Sequence, residues 1–498
     1  MLPPLTEFSL GMNGDEERRV TRTGRASIVV ALICGVVGIA LLGSGGGAGS
    51  AAAEPSTAEA AGKKRKGKAK KRKSACGKEK ARAKSKQGSG KKNAKGKRKA
   101  EKRRRKPCKK KALSPTRSAI FVGNNWDGTA DVIDPENGYR RITRINIIPD
   151  HDERMAEILS DPVDAAYFLA IQQLIGEGHN QYVDDMFTTK DGEILIVSRP
   201  SFADVVGIDL DTKQIIWRFR VAGQRSDHMA VSPDGSRVAV SASTGNVIHI
   251  LDTRTGQEVR NFPSGDSPHE NTYTADGQRL YHASIGLVYT PLDLPLLDTT
   301  KGERVLRVYD ANSGEILRDI PLKQKLTEAG YPDLSHAVRP MAISPDEKTL
   351  FFQVSFFHGF IEYDLVADQV RRVVELPNHV PNLPREAYLL DSAHHGLAIS
   401  GDGQKLCAAG TMSDYAGIVR RSELGSLGNF TMFKTEGGKP YWSTTTDDGR
   451  HCLVSWSGTD ELSVIDYATE QEIARVPVGD HPQRVRMGNV RRDWIAAQ

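Results

Sequence analysis

From residue 118 to about residue 490 the chain is a succession of short apolar runs broken by polar turns, and the order of the pieces repeats. One run leads into a turn built on aspartate: Asp191-Gly192, Asp234-Gly235, Asp276-Gly277, Asp346-Glu347, Asp402-Gly403 and Asp448-Gly449. A second run follows, as in RVAVSAS (237–243), RLYHASI (279–285) and TLFFQVS (349–355). A third ends on another aspartate turn, at Asp134, Asp209, Asp252, Asp310, Asp364 and Asp466, and a fourth such as QEVRNF (257–262) completes the unit. Asp-Gly and Asx-rich turns supply the positive φ that tight hairpins need, so each run is predicted to be a strand.

The shortest intervals between the Asp-Gly turns are 43 and 42 residues, from 191 to 234 and from 234 to 276. Four strands in about 42 residues is the spacing of a radial propeller. Six third-strand turns are clear and a degenerate one falls near 422–428, which makes seven blades. The first unit lacks its inner strand, since SAIFVG (118–123) already reads as a second strand, while GDHPQRVRMGN (479–489) is an inner strand with nothing after it. The expected fold is therefore all-β: a seven-bladed β-propeller over 118–490, closed by pairing of the C-terminal strand with the N-terminal blade, which removes the open sheet edge. Residues 491–498 form a C-terminal tail.

The segments GDHPQRVRM, SDHMAVSPDGSRVAVSAS and NVIHILDTRTGQEV resemble the YVTN-repeat β-propellers of bacteria and archaea, and the resemblance covers 118 to about 490. It implies the propeller fold and an exported or surface location. It implies little about activity, because that family includes surface proteins, binding modules and relatives of quinone- and metal-using enzymes. Blade six departs from the pattern, because IVRRSELGSLGNFTMF (418–433) has lost the acidic turn.

Charge changes the picture upstream. The chain carries a formal +7, but residues 63–111 hold 28 Lys/Arg against two acids, a local +26, which leaves −17 on residues 112–498. The basic stretch has no apolar periodicity and no aromatic residue, so residues 54–117 are expected to be a disordered linker. Without aromatics for stacking, and with an export signal ahead of it, the stretch is not expected to bind specific nucleic acid. Adhesion to an anionic envelope polymer or lipid surface is the expectation, beside the alternative of a solvated spacer. The apolar core 26–43 follows Arg18, Arg19, Arg22 and Arg25 and precedes Ala51-Ala52-Ala53, which reads as a signal peptide over 1–53 cleaved at an A-x-A site. An uncleaved signal anchor is the alternative; in both, the body is exported, extracellular or attached to the cell surface. Export permits disulfides: Cys76 with Cys108 and Cys407 with Cys452 is one arrangement, two free buried body cysteines the other. A monomer is expected.

Candidate chemistry follows from the alternation of faces. Short aspartate turns lie at one end of the strands, whereas insertions at 147–180, 284–303, 322–338 and 376–394 all lie at the other. Long loops gathered on one side point to function. The first insertion carries a helix signal, with Asp161 as cap and Pro162 in the first turn, ending at Gly176. Counting seven residues back from each turn aspartate gives Asp184, Asp227, His269, Arg339, His395 and Tyr441, with His481 assigned to the terminal strand. With His228, Glu270, Asn271 and His282 beside them, these are the candidate residues of a central channel that takes an anion, a polar small molecule or a metal. His282 also reads as a hydrogen-bonded core residue.

Two functions follow. The first is a non-catalytic binding module acting through this face and channel. The alternative is a metal- or quinone-dependent oxidoreductase or hydrolase/lyase, with His269, His395 and His481 as metal ligands and Glu270 as general base. IDLDTKQIIWRFRV (208–221) resembles one pyrroloquinoline-quinone-type repeat, but only Trp217 fills the tryptophan slot, so that cofactor is not expected.

Overall fold

The computed structural model describes residues 115–288, 295–389, 392–423 and 430–498. The signal segment, nearly all of the basic linker, Cys76 and Cys108 lie outside these residues. Within them are seven four-stranded antiparallel sheets, the seven blades of a propeller. The first blade takes its innermost strand from the end of the chain, as Pro482–Arg491 pairs antiparallel with Thr116–Asn124. The other innermost strands are Met186–Thr188, Ser226–Val231, Pro268–Tyr273, Val338–Ile343, Gly396–Ile399 and Pro440–Thr445, in blades two to seven.

Hydrophobic patterning explains the radial order. Second strands such as Arg237–Ala242 are apolar almost throughout and buried on both faces, as expected where each sheet packs between two others. Fourth strands such as Ile215–Arg220 alternate, and every second residue is exposed. Seven apolar clusters mark the seven seams between neighbouring blades. In the seam of blades six and seven, Cys407 and Cys452 are joined in a disulfide. Of the two arrangements open for the body cysteines, the paired one is found.

The aspartate turns share one design. At Asp191, Asp234, Asp276, Asp346, Asp402 and Asp448 the carboxylate accepts the hydroxyl of the Ser or Thr two residues earlier, at 2.6–2.7 Å. The next residue adopts the left-handed conformation, which glycine takes without a Cβ penalty; Gly235 has φ 74°. Glu347 takes the same conformation in blade five, at φ 55°. Its carboxylate accepts from the Ala275 amide (2.7 Å) and from Arg279 (2.8 Å) on the neighbouring blade, and these bonds offset the backbone strain.

At the opposite end, the insertion after blade one forms two helices, His151–Ser160 and Pro162–Leu174. Asp161 caps the second, accepting from the amides of Val163 and Asp164. The first helix starts behind Asp150 with Glu153 three residues on, a capping pattern in the sequence, yet the Asp150 carboxylate makes no capping bond. Instead Asp150 binds Arg199, which also grips Asp204 through two bonds of 2.8 Å. The helices are thus fastened to blade two by a buried guanidinium.

Candidate functional site

Innermost strands begin at the long-loop end, and five of the seven carry a register shift there. In blade four, Pro268 faces Ser284 and Asn271 faces His282, so one extra residue is accommodated between them. Such a bulge re-aims consecutive side chains. As a result, positions seven and six residues before the turn aspartate both contribute to the cluster on the axis.

Side chains from distant blades meet there. His228 of blade three lies 3.9 Å from His269 of blade four and 5.7 Å from His395 of blade six, ring centre to ring centre, and His269 lies 5.6 Å from His395. Trp442 of blade seven stands edge-on to His228 at 5.5 Å, and Tyr441 lies 4.4 Å from His395. Arg484 of blade one spans the centre: its guanidinium touches His228 Nε2, lies 4.0 Å over Trp442 and pairs with Asp184 at 3.2 Å. Arg486 grips Asp185 with two bonds of 2.8 and 2.7 Å, and Arg225 pairs with Asp227. Glu270 Oε2 lies 2.6 Å from His228 Nδ1.

Burial dominates the electrostatics. It holds His228, His269 and His395 well below the usual imidazole range, with the arginines acting in the same direction, so all three are neutral at pH 7. Burial pushes Glu270 up to about 8 although Arg486 and Arg484 oppose it. Arg339 is pushed down to about 10 by desolvation, which Tyr441 and Asp227 oppose and to which Arg225 and Arg304 add repulsion. Several polar atoms are buried here without a hydrogen-bond partner: His269 Nδ1, His395 Nδ1, Asp184 Oδ2, and Nε and Nη1 of Arg484. Orphans of this kind are rare in folded proteins and mark places where water, an ion or a ligand belongs.

Of the sequence candidates, Asp184, Asp227, His228, His269, Glu270, His395 and Tyr441 lie in or against this cluster. Arg339 is the second residue of the innermost strand of blade five, and its charge acts on His269. His481 does not join the three histidines. It stacks on Trp126 at 3.8 Å, and His179 stacks on the other face of that indole at 3.8 Å. The terminal strand has no turn aspartate to count from. Its true register sets Pro482 against Asn124 as Pro268 is set against Ser284, so Gln483, not His481, is the equivalent of His269. Asn271 and His282 belong to the packing between blades three and four: His282 Nδ1 donates to Asn271 Oδ1 (2.9 Å), the Ser264 hydroxyl donates to its Nε2 (2.6 Å), and Asn271 donates to Ser241 (2.8 Å). Trp217 lies on an outer strand and covers the backbone of Gly207 and Gly256. Sequence reasoning missed Asp185, Arg225, Trp442, Arg484 and Arg486; a count of six residues back, beside seven, picks out Asp185 and Trp442.

No protein-family model and no curated protein matches the sequence. Among solved structures the chain is similar to Kuenenia stuttgartiensis hydrazine synthase, with 17% identity and a TM-score of 0.42, over 60% of this chain and 88% of that one. A likeness of that size carries nothing about chemistry.

Proposed function

We propose that the chain is an exported, surface-associated binding propeller that holds a small anionic molecule on its axis at the long-loop end. The observation that carries this reading is Arg339. Its guanidinium has one hydrogen bond, to the Ser355 hydroxyl at 2.8 Å, and among the described residues no carboxylate lies within ion-pair distance of it. Arg225, Arg484 and Arg486 each face an aspartate. A crowded guanidinium without a counter-ion is costly, and carboxylate or phosphate oxygens match its planar donor fork. Arg339 is half-buried. The test is a thermal-shift series on the full chain with small carboxylates, phosphate and sulfate. At least one anion raises Tm in the wild type and fails to do so in Arg339→Gln; no shift with any anion, or equal shifts in the variant, contradicts the reading.

The same reading gives residues 63–111 the task of holding the protein on an anionic wall polymer or lipid surface, supported by their +26 charge. Export is supported by the apolar core 26–43 behind its four arginines, and a Cys407–Cys452 bond suits an oxidising medium. The Asp-Gly turns and the strand motifs support the likeness to YVTN-repeat propellers. Deleting 63–111 abolishes salt-sensitive association with cell envelopes; association that survives the deletion removes the role of the stretch.

A further inference from the structure

We propose that His228, His269 and His395 form a binding site for a late first-row divalent transition ion of the zinc class, with Glu270 positioning His228. This rests on the axial cluster being a binding site, though not on the anion. Three blades supply the three imidazoles, and their candidate ligand atoms all lie within 4.8 Å of one another. Bonds of about 2.0–2.1 Å place tetrahedral nitrogen ligands about 3.3 Å apart, a closure that small side-chain rotations achieve. An all-imidazole set suits zinc, copper, cobalt or nickel rather than magnesium or calcium.

The histidines are prepared in two ways. Glu270 at 2.6 Å engages His228 Nδ1, which leaves Nε2 as the ligand atom and reproduces the carboxylate–histidine–metal arrangement of outer-shell partners. His269 and His395 are 3% and 2% exposed and carry a buried Nδ1 with no partner. His282 and His249, which pack between strands, are bonded on both nitrogens, while His394 beside Tyr415 shares the unpartnered Nδ1. Asp184 and Asp227, the partners of Arg484 and Arg225, lie within the same 4.8 Å of the His228 nitrogen. The Arg484 guanidinium now touching His228 Nε2 withdraws onto Asp184, its existing partner at 3.2 Å. Three protein ligands leave a fourth position open, the pattern of reactive rather than purely structural zinc.

The probe is Co²⁺ titrated into the untagged, chelator-treated full chain and followed by visible absorbance. The wild type takes up one Co²⁺ per chain with the band of a four-coordinate site. Affinity falls more than tenfold in His269→Gln and in His395→Gln, falls about tenfold in Glu270→Gln, and stays within twofold in His481→Gln. Failure to bind stoichiometrically, or unchanged affinity in His269→Gln and His395→Gln, overturns the proposal. If those variants do not fold, Cu²⁺ electron paramagnetic resonance on the wild type decides: hyperfine from three nitrogens supports the site, and its absence overturns it. The thermal shift by anions at Arg339, measured on the same metal-free protein, separates the two readings: an anion shift without Co²⁺ uptake removes the metal alone, and Co²⁺ uptake without an anion shift removes the anion alone.

Discussion

The two ends of this propeller use one residue type in opposite ways. At the short-turn end, aspartates such as Asp234 stand near solvent and accept a hydroxyl two residues back and an amide two residues on. At the long-loop end Asp184, Asp185 and Asp227 are buried, and they face arginines. Local bonds repeat from blade to blade, because each turn solves the same backbone problem. Bonds across the axis do not repeat, because each blade brings a different side chain to a shared centre. Repetition marks scaffold, and departure from it marks the site.

The contrast breaks most sharply at Asp185. It is fully buried and accepts two bonds from Arg486 and one each from the Met186 and Met229 amides. Asp185→Asn leaves the partly buried Arg486 guanidinium unbalanced and is expected to cost about 3 kcal/mol in urea unfolding. Nearer the short-turn end, the Cys407–Cys452 bond spans 45 residues; reducing it is expected to cost about 2–4 kcal/mol, read as a lower urea midpoint. At the short-turn end Asp234→Ala loses only local bonds and is expected to cost about 1 kcal/mol by the same assay.

The smallest effect is a pH dependence. The Ser232 hydroxyl, with the Ser236 amide, holds the Asp234 carboxyl down to about 2. Its unfolded value is about 3.9. A carboxyl depressed on folding contributes stability above the unfolded value and loses it as the pH falls through the folded one. Wild-type stability therefore drops between about pH 4 and pH 2 by more than that of Asp234→Ala, in denaturant titrations at each pH.

Blade number, strand order and turn positions were legible because each depends on residues a few places apart. Thr274 and Asp276 announce their turn without reference to the rest of the chain. The Arg486–Asp185 pair joins residues 301 positions apart, and no local pattern announces it. His481 was misassigned because the terminal strand has no following turn from which to count, and an Asp-His-Pro start was matched where strand register decides. The bulges were hidden too, since one extra residue leaves no mark in composition but changes which side chains face the axis.

The most direct measurement is anomalous diffraction from a bromide-soaked crystal of the full chain. The account predicts a bromide peak on the propeller axis beside the Arg339 guanidinium, among blades whose innermost strands start at the long-loop end. Bromide bound elsewhere on the protein, with the axis beside Arg339 empty, would contradict it.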